Sequence, residues 1–232
     1  MRQPKAASAP GGFGGFRPAA LRFFTDLAAN QTKPWFEANR AVYEHEVLAP
    51  LRALVADLAT EFTRRKIPLT GDPLKAVFRI HRDVRFSKDK APYKTHAGAI
   101  LSRNGSKDRF GLLYIHIDPA GSFVASGFYQ PEPKLLEAIR TAIVEDWPVL
   151  QTALDSLHAA GAGLMREDAL TRLPRGFEHA AGTPAADLVK LRSLVGQQHL
   201  SAAALAEPGL VTQIADFTQA ALPLLRFGWD AV

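Results

Sequence analysis

The sequence predicts an α+β fold, in which an antiparallel sheet has a helical N-terminal part and C-terminal helices packed around it. Three observations carry that expectation. The first third repeats apolar residues at helical intervals, and the middle alternates apolar and polar residues at the two-residue interval of strands. The last third returns largely to helical spacing.

Residues 1–16 are rich in glycine, alanine and proline and read as a flexible tail, which leaves 17–232 as a single α+β domain. Gly11-Gly12-Phe13-Gly14-Gly15 does not make a dinucleotide loop, because Arg17 stands where the third glycine belongs and no strand precedes it. Leu21, Phe24, Leu27 and Ala28 mark a first helix that Asn30 ends. Thr32 then caps a second helix with Pro34 in its first turn, and Pro50 is expected to kink or interrupt that run before it resumes toward Arg65. After Gly71-Asp72-Pro73 the period changes. Phe78, Ile80, Val84 and Phe86 share one parity, which predicts a strand over 77–86. Arg82 falls among the apolar set, so either a bulge intervenes or this arginine is placed among apolar neighbours. Residues 97–101 predict a further strand. Leu113, Ile115 and Ile117, the turn Pro119-Ala120-Gly121-Ser122 and the return over 123–129 predict a hairpin. Helices follow after Pro131 and near Pro148. A loop around Leu173-Pro174, a short helix at 185–191, a strand at 194–200 and a helix over about 208–222 complete the chain.

The 47% hydrophobic and 22% charged composition is that of a globular protein, and no apolar run is long enough to span a membrane. The N-terminus lacks the apolar middle of a secretory signal, so a cytoplasmic location is the default. The absence of cysteine excludes disulfides, thiolate metal sites and a cysteine nucleophile. The net charge of +5 is unevenly spread. Residues 75–109 hold ten Lys or Arg against three Asp, a net +7, so the rest of the chain carries −2. That pattern points to an anionic partner at one place.

The densest part runs from Arg79 to His96. Arg79, Arg82 and Arg85 stand at steps of three, and Ser87-Lys88-Asp89-Lys90 reads as a turn leading to Ala91-Pro92. Arg79 and Arg85 share a strand face on which two guanidinium forks would meet a phosphate or carboxylate. Lys88, Lys90 and Lys94 add point charges, while Asp83 and Asp89 orient the cations.

Arg82-Asp83-Val84-Arg85-Phe86-Ser87-Lys88-Asp89-Lys90 with Pro92-Tyr93-Lys94 resembles the signature of the family catalogued as domain of unknown function 2461. Trp35-Phe36 with Asn39 and Tyr43 resembles its N-terminal motif. Gly127-Phe128-Tyr129-Gln130-Pro131 with Leu136 and Ile139-Arg140 resembles its middle motif, and Leu173-Pro174-Arg175-Gly176-Phe177 its C-terminal one. The chain departs from the family after Phe177. An Asp-His-Pro-like step is expected there, and Glu178-His179-Ala180-Ala181-Gly182-Thr183-Pro184 stands in its place. The resemblance covers about Phe23 to near the C-terminus. It implies a small, soluble, mostly bacterial-type domain of unestablished activity, so it transfers a fold expectation rather than a reaction.

Three functional readings follow. The first is a site for a small phosphate- or carboxylate-bearing ligand, formed by Arg79, Arg82, Arg85, Lys88, Lys90 and Lys94, with Trp35, Asn39, Tyr129 and Arg140 converging from the other motifs. Should a reaction follow, Asp83 or His96 is the candidate base and Tyr93 or Lys94 the candidate acid; the sequence leaves open whether the protein is an enzyme. The second is nucleic-acid binding by the same basic strip, with Phe86 and Tyr93 as stacking faces, although no helix-turn-helix, zinc-finger or RNA-recognition pattern is present. The third is a non-catalytic structural or partner-binding module. Within the first reading, a buried arginine–aspartate network that only pins the sheet is the competing account of Arg82 and Asp83. No metal and no cofactor are expected: His116 and Asp118 share a strand face, but no HExxH or comparable ligand spacing occurs. GxSxG and Walker patterns are also absent.

Overall fold

A computed structural model of the chain describes residues 12–107 and 110–232. The order is α1 (Pro18–Ala29), α2 (Lys33–Val42), a π-turn (Tyr43–Leu48), α3 (Ala49–Arg65), β1 (Ala97–Ser102), β2 (Leu112–Ile117) and β3 (Ser122–Phe128). There follow α4 (Pro133–Glu145), α5 (Trp147–Ala159), β4 (Gly163–Leu164), α6 (Ala186–Val189), β5 (Leu194–Leu200), α7 (Ala202–Leu205) and α8 (Leu210–Asp230). The strands form one antiparallel sheet in the order β1-β2-β3-β5-β4. The α+β expectation therefore holds.

The helices cover one face of the sheet. Leu113, Ile115 and Ile117 of β2, with Leu101, Val124 and Phe128, are buried in a core shared with Leu54 and Leu58 of α3, Leu157 of α5 and Leu224 of α8. The helix α8 runs well past its expected end at 222 and contains Pro223. An interior proline costs about 3 kcal/mol. Beyond it, however, Leu224, Leu225, Phe227 and Trp229 are all buried, and each such side chain contributes about 1.5–3 kcal/mol on leaving water. Burial outweighs the break.

Thr32 caps α2 as expected, accepting from the Trp35 N–H at 3.4 Å. Pro50 does not interrupt the following run. The preceding turn is a π-turn, in which the Ala49 N–H reaches Glu44 O, so the helix widens just before the residue that lacks an N–H and continues to Arg65. The expected tail is also shorter at its inner end. Residues 1–11 lie outside the described residues, but Phe13 and Phe16 are buried in the core, and the Phe13 N–H donates to Asp57. Two aromatic side chains outweigh the glycines around them.

The expected strand over 77–86 does not form. Residues 70–78 border β1 through isolated bridges (Thr70 with Ser102, Val77 with Ala99) and the Phe78 N–H donates to Gly98 O. The chain then leaves the sheet and pairs with itself, bridging His81 with Tyr93. Alternation ends there because Ile80 has a core to enter, whereas Phe86 lies on a projecting loop and is 96% exposed.

Candidate functional site

The root of the basic hairpin is held by aromatic packing. Tyr93 is only 4% exposed and stacks on Phe36 at 4.6 Å between ring centroids, while Phe36 and Tyr43 also meet the ring of Phe23. The Tyr93 N–H donates to Gln31 Oε1. Trp35 is half-buried against Phe23, and Asn39 donates its amide to Trp35 O. The motif that starts at Trp35 therefore anchors the hairpin to α2.

Beyond this root the cations are divided. Arg82 pairs with Asp89 at 2.5 Å, and Arg85 grips Asp83 with two nitrogens at 2.9 and 2.6 Å. The Arg85 fork holds the Asp83 carboxyl below its usual range. The Ala91 N–H, followed by Arg82, does the same for Asp89. Lys90 donates to Val84 O at 3.0 Å, and Lys88 is exposed beside it. These contacts shape the loop from within. Arg79 is exposed, and among the described residues it makes no ion pair.

Lys94 and Lys107 behave differently. Both bring their ammonium nitrogens to the ring of Phe78, at 5.1 and 4.3 Å from its centroid, and Lys107 also donates to Val77 O at 2.9 Å. Neither has a carboxylate within ion-pair distance among the described residues. Lys94 is pushed below the normal lysine range by burial and then by the charge of Arg79, and Lys107 by loss of hydration and then by Lys94.

Phe78 lies on the sheet face turned away from the helices, edge-on to Tyr114. The register Gly98↔His116 and Phe123↔His116 puts Gly98, His116 and Phe123 side by side on this face. Gly98 is required there, because a Cβ would stand 2.9 Å from the Tyr114 ring. Tyr114 Oη lies 3.0 Å from His116 Nδ1, and the ring of His96 lies 4.5 Å from that of His116. Burial, and then the neighbouring His116, push His96 down to about 4. Burial and the Asp118 charge push Tyr114 up to about 12.

Of the candidates named from sequence, the structure gathers Arg79, Lys94 and His96 toward this face. Arg82, Arg85, Lys88, Lys90 and Asp83 stand on the projecting loop, and Tyr93 lies in the core. Tyr129 and Arg140 are not brought to the group. Tyr129, 50% exposed, follows β3 at the end opposite Phe123, about 20 Å away at about 3.3 Å per residue. Arg140 donates to Leu191 O at 3.0 Å, and burial lowers its pKa, with Arg192 adding to the effect. Lys107, Phe78 and Tyr114 escaped the sequence reading. Tyr114 showed its outward parity in the hairpin, but the approach of Lys107 depends on a turn that sequence spacing does not specify.

An antiparallel sheet backed on one face by helices, with a basic hairpin at its β1 edge, places this molecule among the α+β proteins. The chain belongs to the DUF2461 family of conserved hypothetical proteins, whose model matches residues 19–227. No curated protein and no solved structure matches it. No helix among the described residues is long and apolar enough to cross a membrane.

Proposed function

We propose that the protein binds a small molecule bearing a phosphate or carboxylate group, held by Lys94 and Lys107 beside Phe78 with Arg79 at the rim. The carrying observation is that two ammonium groups converge on one aromatic ring without a carboxylate of the described residues to neutralise either. Mutual repulsion and lost hydration both oppose this arrangement. An arriving anion relieves both, and charge-assisted hydrogen bonds to it are about twice as strong as neutral ones. Arg82 and Arg85, each occupied by its own aspartate, shape the loop rather than hold the guest. A cytoplasmic setting, where such metabolites are abundant, fits the composition.

The test is thermal unfolding in inorganic phosphate, pyrophosphate or citrate against chloride at matched ionic strength. A ligand at 100 times its Kd stabilises by about 2.7 kcal/mol. The gain should disappear in the double variant Lys94→Met/Lys107→Met and survive in Arg85→Ala. Equal stabilisation of the double variant, or none in the native chain, defeats the reading and favours a non-catalytic module.

A second reading, nucleic-acid binding, is favoured by Phe86. It is 96% exposed at the loop tip, with the Arg85 guanidinium 5.9 Å from its ring. Tyr93, buried against Phe36, offers no second stacking face. Binding to single-stranded DNA or RNA that weakens steeply with salt and is lost in Phe86→Ala would support this reading, and absence of binding at low salt would remove it.

A further inference from the structure

The face that carries Lys94 and Lys107 also carries a cluster that neither lysine needs. His96 immediately precedes β1, His116 belongs to β2, and Asp118 follows β2. The register pairs Ala97 with Ile117 and Gly98 with His116, so continuing it one step sets His96 across from Asp118 and diagonal to His116, all three on the outward face. One donor atom from each residue lies within 4.8 Å of the other two. His116 Nε2 is 3.5 Å from Asp118 Oδ2.

The surroundings leave those donors available. Asp118 Oδ1 accepts from the Ala120 N–H at 2.7 Å within the turn, which turns Oδ2 toward the histidines. His116 Nδ1 faces Tyr114 Oη at 3.0 Å. When Nδ1 carries the proton and donates it to that oxygen, Nε2, 3.5 Å from Asp118 Oδ2, keeps its lone pair for an ion. Phe123, stacked on the His116 ring at 4.6 Å, fixes the plane of that ring, and Gly98 leaves the room that Tyr114 occupies. Donors about 2.0–2.2 Å from one ion stand about 3.3 Å apart in tetrahedral geometry, so the group closes around an ion by small side-chain rotations.

We propose that His96, His116 and Asp118 bind one divalent transition-metal ion of the zinc or iron(II) kind, leaving a coordination position open to water or to an exogenous ligand. Two imidazoles and one carboxylate suit these borderline ions, whereas magnesium and calcium prefer all-oxygen shells. The sequence alone predicts no metal here, because the ligands are separated by a loop and a strand rather than by a helical spacing. The proposal uses none of the lysines and stands independently of the anion-binding reading.

Cobalt(II) and zinc(II) are the probes, titrated at neutral pH into the chelator-treated full chain, with visible absorption and calorimetry as readouts. One ion per chain is expected, with the intense visible bands of a low-coordinate cobalt site. His116→Ala and Asp118→Ala should each weaken binding by at least about 100-fold, and Tyr114→Phe by about 10- to 100-fold through loss of the partner that orients His116. His199→Ala, on β5, should leave affinity unchanged, and Lys94→Met/Lys107→Met, which removes a positive charge acting on His96, should not weaken it. Should His116→Ala fail to fold by circular dichroism, His96→Gln makes the same comparison. Sub-stoichiometric or millimolar binding, or equal affinity in the folded ligand variants, overturns the site. If the lysine variant loses anion stabilisation but keeps cobalt, both proposals survive. If anions never stabilise the chain but cobalt binds, only the metal site stands.

Discussion

Phe36 and Tyr93 lie face to face, 4.6 Å between ring centroids and 21° from parallel, and this stack joins α2 to the root of the basic hairpin. The hairpin beyond it is stitched mainly by its own side chains, so the stack is where the projecting loop gains its connection to the core.

Tyr93→Ala should therefore cost about 3–5 kcal/mol, the range for removing a buried aromatic ring. The same change should raise hydrogen exchange and proteolytic cutting across residues 83–91. Chemical denaturation and limited proteolysis read the two effects. Destabilisation without faster cutting in the loop would mean that the hairpin is held elsewhere.

Close packing of α8 on β3 supplies a second expectation. A Cβ at Gly228 would overlap the ring of Phe128, which is fully buried and has no room to retreat. Gly228→Ala gains helix propensity, yet it should still destabilise by about 1–3 kcal/mol through overpacking. Gly121→Ala, where nothing lies within 4 Å, should change stability little. Urea midpoints of the two variants would reverse the order if the α8–β3 contact were loose.

At the far end of α3, Glu61 accepts from both Arg64 and Arg65, and these two hold its carboxyl down to about 2 against a normal 4.5. Arg65 in turn reaches Asp216 of α8 at 2.5 Å. A depressed carboxyl stabilises the fold above its unfolded pKa and ceases to do so once it is protonated. The contribution should thus be present above about pH 4.5 and disappear as the pH falls toward 2. Comparing Glu61→Gln with the native chain by thermal melts across that interval should show the two curves converging at the acid end, with a smaller gap in high salt. A gap that persists at pH 2 would contradict the assignment.

Arg85→Ala should leave the unfolding midpoint close to that of the native chain, since its pair with Asp83 is exposed and the two residues lie two positions apart on one loop. A marked fall would show that the loop is coupled to the core through Arg85 rather than through Tyr93.

Much of the architecture was legible in the chain. The β2–β3 hairpin, the strands near 97 and 194, the capped start of α2 and the helices after Pro131 follow from apolar period and turn chemistry, which act locally. In four places a tertiary neighbour modified what the local rules set. Pro50 is absorbed by a π-turn, and Pro223 is overruled by the buried residues after it. Phe13 and Phe16 enter the core despite their glycines. The alternation over 77–86 never becomes a strand of the sheet because beyond Phe78 the chain leaves β1 and meets only its own return arm near Pro92–Lys94.

By itself, then, the order of residues determined most of the helical and extended segments, where the positive charge concentrates, and which side chains of the β2–β3 hairpin point away from the apolar set. Those properties depend on neighbours a few positions apart. Only the tertiary structure decided which cations keep an aspartate of their own and which share Phe78, and that His96 stands across from Asp118. Such relationships join residues whose separation along the chain is set by loops, so they exist only once strand register and side-chain packing have brought the distant segments together.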